Sequence, residues 1–561
     1  MSTNISKQKR EELLAKIKAI RTFIATAEQD ENTGNLLAYL SELERDVGGK
    51  KYGLVFEEHR EEIDEILATH TPVLTEDGSL LIDNGGQMNF LLEGDNLASL
   101  QLLLKTHKGK IDLIYIDPPY NTGNKDFVYD DAFVDGNDTF RHSKWLSFIN
   151  KRLRLAKSLL TSNGVIFISI DDNEYANLKS LCDEIFGADC FVANVIWQKK
   201  TGASDARGIA VITEYILVYA KNSDTIRETF NKNTEAFDAS RYRFTDEYVA
   251  RRGNYYLDSL DRGSVRYSDS LNYPIIAPDG TEIYPNGRTT FENDGWTWKW
   301  SKEKVEWGIQ NGFIVISKSP SKPNGWAVRY KIYLNVDNED NLIEKSSPFK
   351  NIINNVLNAN AAADIKAIFG GKAFQYSKPV GLIETLLNYA VKKNSLILDF
   401  FAGSGTTGHA VMKLNAEDGG NRRFILCTNN ENNICREVTY ERIRRVIDKE
   451  GYAASLKYFK VEYVPIDSRM YYEYADELLR HIRELVELEN GVNFTANAEI
   501  GIVLTEEELE EFVTSDAFAL CRKLYVGHDV LPTDEQMAAI KAGGIEISVI
   551  PDYYYKDLQE G

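Results

Sequence analysis

Two short apolar runs, far apart in the chain, each break off at a turn of unusual composition. Ile111-Asp-Leu-Ile-Tyr-Ile116 runs straight into Asp117-Pro-Pro-Tyr-Asn-Thr-Gly123, and Ser395-Leu-Ile-Leu398 into Asp399-Phe-Phe-Ala-Gly-Ser-Gly-Thr-Thr407. Runs of this length, bounded by turn residues, read as buried strands of a parallel sheet. The first turn is stiff. Pro118 and Pro119 hold φ at about −65° and lack an N–H, so the backbone there presents carbonyls. The second turn is pliant. Gly403 and Gly405 let the backbone pass close to a ligand, and a helix beginning near Thr406 would offer unpaired N–H groups to an anion. Asp399 closes its strand, where a carboxylate can meet an ammonium group. The third spaced glycine of a dinucleotide loop and the Gly-Lys-Ser/Thr of a phosphate loop are both missing.

The exocyclic amine of a nucleobase is a poor nucleophile, because its lone pair is delocalised into the ring. An enzyme that methylates it must hold the nitrogen in line with the methyl donor and accept hydrogen bonds from its protons. Asp117 supplies a carboxylate acceptor, the Pro118 carbonyl a second, and Tyr120 a flat face on which an unstacked base can lie. Asp117-Pro-Pro-Tyr120 resembles the catalytic motif of amino-methyltransferases, and Phe401-Ala-Gly-Ser-Gly-Thr-Thr407 resembles their S-adenosyl-L-methionine loop. With the catalytic turn first and the cofactor turn last, the order is similar to that of the beta class of DNA methyltransferases.

The resemblance implies catalytic roles for Asp117, Pro118, Pro119 and Tyr120. It implies cofactor contacts from Asp399, Phe401, Ala402, Gly403, Ser404, Gly405, Thr406 and Thr407. Three further segments stand where the class has supporting motifs. Gly94-Asp95-Asn96 lies upstream of the catalytic turn and makes Asp95 a cofactor candidate. Gln375-Tyr-Ser-Lys378-Pro379-Val380 precedes the cofactor strand, with Lys378 and Pro379 opening a helix that wraps the cofactor. Phe424-Ile-Leu-Cys-Thr428 reads as the next strand and runs into Asn429, Asn430 and Glu431. Which of these reaches the ribose hydroxyls is open, with Asn430 the leading candidate.

The expected fold is α/β, a Rossmann-like doubly wound sheet interrupted by an insertion. Strands are expected at 88–92, 111–116, 164–170, 191–197, 395–399 and 423–428, with helices over 144–161 and Cys435–Lys449. Five regions follow: an N-terminal helical region (1–70), the catalytic half of the core (85–200), a target recognition domain (201–370), the cofactor half (371–464) and an acidic C-terminal domain (465–561). The target recognition region interleaves arginine with aromatics, as in Arg241-Tyr-Arg243, Arg251-Arg252 and Arg262…Arg266, together with five of the seven tryptophans at 296–326. Such clusters suit phosphate contact and base reading. The tryptophans are also what a self-contained insertion needs for a core. Arg442, Arg444 and Arg445 could meet phosphate or simply cover a helix face, and the latter is expected.

A net charge of −20 is awkward for a DNA-binding chain, but its distribution is uneven. Residues 465–561 carry 21 Asp and Glu against seven Lys and Arg, so the acidity is concentrated at an end rather than in the centre. A domain so charged should be repelled by phosphates and is expected to face protein. Five cysteines show no paired or metal-binding spacing, and no metal is expected. No apolar run approaches the ~20 residues of a membrane helix, and the polar start is no secretory signal, so a cytoplasmic protein is expected.

In length and terminal regions the chain resembles the modification subunit of Type III restriction–modification systems. That resemblance implies adenine-N6 methylation of a flipped base in double-stranded DNA, a homodimer and an optional helicase–nuclease partner. Asp rather than Ser before Pro-Pro-Tyr favours adenine. The alternatives are a solitary DNA methyltransferase, an N4-cytosine enzyme, a protein-glutamine methyltransferase (disfavoured by Asp117 in place of Asn) and a non-catalytic DNA-binding subunit.

Overall fold

A computed structural model of the chain describes residues 5–26, 33–48, 54, 56–85, 88–123, 128–129, 132–133, 138–202, 208–234, 238–263, 267–371, 374, 377–466, 480–494, 497–527 and 529–550. The chain divides into two compact units, one comprising Met1–Phe230 and Asn351–Gly561, the other Asn231–Lys350.

The first unit is built on a ten-stranded sheet. Its strands are β1 (His70–Glu76), β2 (Met88–Glu93), β3 (Ile111–Ile116), β4 (Leu160–Ile170), β5 (Phe191–Gln198), β6 (Thr213–Ala220), β7 (Ile352–Ile353), β8 (Leu396–Asp399), β9 (Arg423–Thr428) and β10 (Ser455–Pro465). They lie in the order β1-β10-β2-β9-β8-β3-β4-β6-β5-β7. From β10 to β4 all neighbours are parallel, while β6 runs antiparallel to both β4 and β5. Strand order reverses direction between β8 and β3, which pair in parallel through Ile397 with Leu113 and Leu398 with Ile114. A reversal of this kind leaves a crevice beyond the carboxyl ends of its two strands, since the following helices depart to opposite faces. Both motif turns open there.

The core beneath is apolar on both faces of the sheet. Helices used below are α1 (Ile5–Thr26), α2 (Thr33–Gly48), α3 (Glu62–Thr69), α4 (Asn96–His107), α5 (Arg141–Leu159), α6 (Tyr175–Phe186), α7 (Val380–Ala390), α8 (Thr406–Asp418), α9 (Glu441–Glu450) and α10 (Ile482–Asn490). On α5, Trp145, Ile149, Leu153 and Ala156 recur at helical spacing and are fully buried in one cluster with Ile114, Ile116 and Leu398. All five cysteines are buried and unpaired.

Three sequence expectations need correction. The insertion is narrower than 201–370: β6 and β7 belong to the main sheet, and the separate unit spans 231–350. Strand β6 sits between two neighbours and is buried along Ile216–Ala220, so its signal is a short apolar run easily lost among aromatic residues. The region 465–561 is not a detached domain. Residues 467–479 lie outside the described residues. Beyond them, α10 packs Ile482, Leu485, Val486 and Leu488 into the main core. Only 500–549 forms a small parallel sheet with its own cluster around Leu509, Leu524 and Ile540. Finally, the helix expected over Cys435–Lys449 begins as a π-helical stretch, Ile434–Tyr440, before α9.

The inserted unit centres on an antiparallel sheet of Ile314–Lys318, Trp326–Tyr333 and Tyr255–Ser259. Trp298, Trp300 and Trp326 are buried there with Phe313 and Tyr333, which makes them core residues. Arg252 is buried too: it bonds Asp340 at 3.0 and 3.1 Å and lies 3.9 Å over the Tyr248 ring. Arg241, Arg243, Arg251 and Arg262 stay exposed, and Arg266 lies outside the described residues.

Candidate active site

The catalytic turn leaves β3 with a scaffold behind it. The Trp145 indole N–H donates to the Pro119 carbonyl at 2.7 Å. Asn121, at φ 57° and fully buried, donates its side-chain amide to Glu174 Oε1 at 2.6 Å and to the Arg141 carbonyl at 3.2 Å. Glu174, itself buried, is met by His142 Nδ1 at 2.6 Å and by the Asn177 amide at 2.8 Å. Asparagine tolerates the left-handed conformation better than most residues, and the buried carboxylate secures it. The described residues place no donor on the Pro118 carbonyl.

In front of this scaffold lies a cluster of charge. The Tyr120 hydroxyl donates to Asp117 Oδ1 at 2.9 Å and receives the Lys378 ammonium at 2.7 Å. Lys378 Nζ is also 3.1 Å from Asp117 Oδ1 and 3.1 Å from Glu214 Oε2. Lys199 holds the other oxygen of Glu214 at 2.9 Å. Desolvation raises the Asp117 carboxyl above the ordinary carboxylate range, with Lys378 pulling against it. Glu214 is also penalised by burial, but Lys378 and Lys199 together bring it below that range. Lys378 in turn is held above the usual lysine value, since Asp117 and Glu214 outweigh its desolvation. The Lys378 ammonium thus lies among the side chains of the catalytic turn, while its carbonyl accepts from Thr406 of the cofactor turn; the sequence reading had made it a cofactor candidate.

The cofactor turn follows β8. Asp399 is 3% exposed and accepts from the Phe401 N–H at 3.0 Å and the Thr407 hydroxyl at 2.5 Å. Burial pushes it up to about 7 against those hydrogen bonds. The carboxyl thus braces the turn from beneath. Ala402 N–H bonds the Cys427 carbonyl at 3.1 Å, and Phe401 packs against Phe148. Gly403 and Gly405 have φ 50° and 76°, which L side chains resist. Among the described residues, a Cβ at Gly403 would meet only the Phe401 carbonyl at 3.8 Å, whereas one at Gly405 would press on Thr439 at 3.2 Å. Of the two, Gly403 has the more room. Ser404 and Thr406 hydroxyls meet Ser377 at 2.8 and 3.1 Å, and Thr406 also reaches the Lys378 carbonyl at 3.2 Å. Arg442, read in the sequence as covering a helix face, is fully buried and donates Nη1 to Thr406 at 2.8 Å and Ser404 at 3.0 Å. Burial pushes it down to about 10. Arg444 and Arg445 do cover the face, pairing with Glu441 at 2.9 and 2.8 Å.

The remaining candidates make contacts within the framework. Asp95 caps α4, accepting from Leu97 N–H at 2.7 Å. Asn430 spends its carbonyl oxygen on Cys435 and Arg436 N–H groups at 3.1 and 3.3 Å, capping the π-helical stretch rather than presenting that oxygen to a ligand. Pro379 caps α7, whose preceding residues Gln375 and Tyr376 lie outside the described residues. Asn96, beside Asp95, donates to the Phe400 carbonyl at 3.2 Å and links α4 to the cofactor turn. Glu214, Lys199, Glu174, Trp145 and Arg442 were not singled out as site residues. None lies in a turn motif. Only their positions at strand ends or helix starts beside the crevice could have marked them.

The residues present suit S-adenosylmethionine. Two glycines at positive φ, the N-terminus of α8 and the Asp399 carboxyl at the strand end match a close-lying backbone, a carboxylate and a cation.

The profile of the DNA methylase family matches residues 111–441. Over 417 residues the chain is 35% identical to the Type III restriction-modification enzyme StyLTI Mod subunit of Salmonella typhimurium, covering 66% of this chain and 58% of that protein. It is 35% identical over 362 residues to the Type II methyltransferase M.KpnI of Klebsiella pneumoniae, covering 60% of this chain and 79% of that protein. To the EcoPI Mod subunit of Escherichia phage P1 it is 32% identical over 402 residues, with 62% of this chain and 58% of that subunit covered. The chain thus spans just under three fifths of these two Mod subunits.

Proposed function

Because the chain belongs to the DNA methylase family, we propose that it methylates N6 of an adenine flipped out of double-stranded DNA, using S-adenosyl-L-methionine, as the modification subunit of a Type III system. The observation that carries this reading is the juxtaposition of Asp117–Tyr120 and Gly403–Thr407 beyond adjacent parallel strands, β3 and β8. The bound cofactor supplies an electrophilic methyl group. Asp117 Oδ2 and the Pro118 carbonyl accept hydrogen bonds from the two amine protons, drawing the nitrogen toward tetrahedral geometry. As nitrogen gains the methyl group it must lose one proton, and the Asp117 carboxylate is the acceptor at hand. Tyr120 offers its ring to the base, contributing roughly 1–3 kcal/mol. Gly403, the α8 N-terminus and Asp399 hold the methionine end. Exposed Arg241, Arg243, Arg251 and Arg262 of the inserted unit contact DNA. The chain acts as a homodimer, with a helicase–nuclease subunit as its optional partner.

Methylation-aware sequencing of DNA from cells expressing this chain alone tests the reading. N6-methyladenine at one short motif is expected. N4-methylcytosine would replace the substrate, and unmodified DNA together with no transfer of radiolabelled methyl in vitro would overturn the function.

A further inference from the structure

The ammonium of Lys378 has three N–H groups, and three acceptors surround it: Asp117 Oδ1, Glu214 Oε2 and the Tyr120 oxygen, at 3.1, 3.1 and 2.7 Å. Its donors are fully used. Glu214 in turn is fixed from its other side by Lys199. These groups come from four places in the fold: the turn after β3, the end of β5, the start of β6 and the segment before α7. Two cations face two carboxylates, so the cluster is formally neutral although Lys378, Glu214 and Asp117 are 12%, 10% and 23% exposed. Among the described residues, the two donors that reach Asp117, Tyr120 and Lys378, converge on Oδ1, which leaves Oδ2 as the oxygen for a ligand N–H.

We propose that Glu214 is a positioning residue of methyl transfer: it holds the Lys378 ammonium against Asp117 Oδ1, so that Oδ2 is presented to the target amine. The proposal rests on the methyl-transfer reading of the site. Without Lys378, Asp117 and Glu214 would be two carboxylates sharing a tyrosine hydroxyl in a desolvated pocket, and one of them would take up a proton. Without Glu214, the ammonium would lose an anchor and its lateral position. Protonated Asp117 cannot take up the proton that the amine loses on methylation, so activity requires the carboxylate. Other groups facing Asp117 are Tyr115 on β3, Tyr120 in its own turn and Asp399 on β8. Both phenols are raised well above their ordinary value and stay neutral. Among the described residues, Lys378 and Glu214 are therefore the charges that act most strongly, and in opposite senses, on Asp117.

The test is a signed pair of substitutions. Lys378→Met removes the favourable charge and should move the acid limb of kcat/KM to higher pH, by roughly 1–3 units for a cation at this distance. Glu214→Gln removes the unfavourable charge yet keeps an oxygen for Lys378, and should move the limb to lower pH. Glu214→Ala removes that oxygen as well and should lower kcat by about tenfold or more, with S-adenosylmethionine affinity by calorimetry close to wild type. Long unmethylated DNA serves as substrate. Limbs that move the same way, or do not move, overturn the proposal. So does a loss confined to cofactor affinity, which would return Lys378 to the cofactor side. The Asp117 carboxyl, followed by 13C NMR in the full chain and assigned by difference from Asp117→Asn, must titrate in the same order. That readout needs no turnover, so an inactive wild-type chain would overturn the methyltransferase reading while the titration still decides the coupling.

Discussion

A carboxylate that works on an amine and one that braces a loop look alike in a sequence, yet here they call for different experiments. Asp117→Ala should reduce methyl transfer about 100-fold or more while leaving cofactor binding nearly intact, because the acceptor acts in the transition state. Single-turnover rates and calorimetry on the same preparation check it. Stacking alone would let Tyr120→Phe pass unnoticed. Its hydroxyl, however, receives Lys378, and a hydrogen bond to a charged group is worth about 1.5–3 kcal/mol. Tyr120→Phe should therefore lose about tenfold in kcat yet keep base flipping, read by 2-aminopurine fluorescence, whereas Tyr120→Ala should lose both. Asp399 makes a prediction about pH. Its folded value of about 7 lies above the ~3.9 of an unfolded aspartate, so between these values the folded state binds more protons. Its contribution to stability is complete below about pH 4 and lost as pH rises through 7. Asp399→Asn should flatten the fall of Tm across that interval, and an unchanged slope would show the carboxyl to be ionised already. The Asp117 and Asp399 turns were legible in the sequence because proline restricts the backbone and glycine frees it, both locally. Glu214 and Arg442 were not, because a strand-end acid or a helix arginine acquires its role from what a distant segment brings to it.

At the scale of elements, the two glycines of the cofactor turn separate into different tasks. Gly405 backs onto Thr439, so Gly405→Val forces a branched side chain into a filled space at a positive φ. Overpacking of this kind costs about 1–3 kcal/mol, and a lower Tm should accompany any loss of cofactor. Gly403→Ala has more room and should weaken S-adenosylmethionine binding more than it lowers Tm. The opposite ranking would exchange the two roles. Elements with a strong local period (β3, β8, β9, α5 and α8) appear within about three residues of where the sequence puts them. The π-helical opening before α9 could not be read this way. Its capping oxygen, from Asn430, looks like any polar loop residue until the chain has turned around it.

For the whole molecule, the C-terminal region is joined to the sheet by a buried ion pair. Lys457 on β10 meets Glu487 on α10 within 2.6 Å, both fully buried, with Glu76 on β1 at 3.1 Å from the same ammonium. Glu487→Ala would strand a buried cation, at a cost of about 3 kcal/mol after allowance for Glu76. Lys457→Met combined with Glu487→Leu should recover most of the loss. Urea unfolding of the three variants decides. For the same reason, cutting the chain near 465 should expose Leu485, Val486 and Leu488 sites and leave the core poorly folded, an outcome the charge pattern alone did not foresee. A truncated chain that retains the parent's Tm and cofactor affinity would show that α10 is dispensable.

What the sequence determined by itself is the chemistry that depends on local backbone: a proline-stiffened turn bearing a carboxylate and a ring, a glycine turn before a helix, and apolar strands to carry them. Those features need only neighbouring residues, so a one-dimensional reading reaches them. Tertiary structure alone decided which charges meet. The position of β6 between β4 and β5 brings Glu214 to Lys378, and the packing of α9 buries Arg442 against Ser404 and Thr406. Contacts between residues far apart in the chain are set by strand order and by the free energy of the whole core, neither of which any single segment encodes.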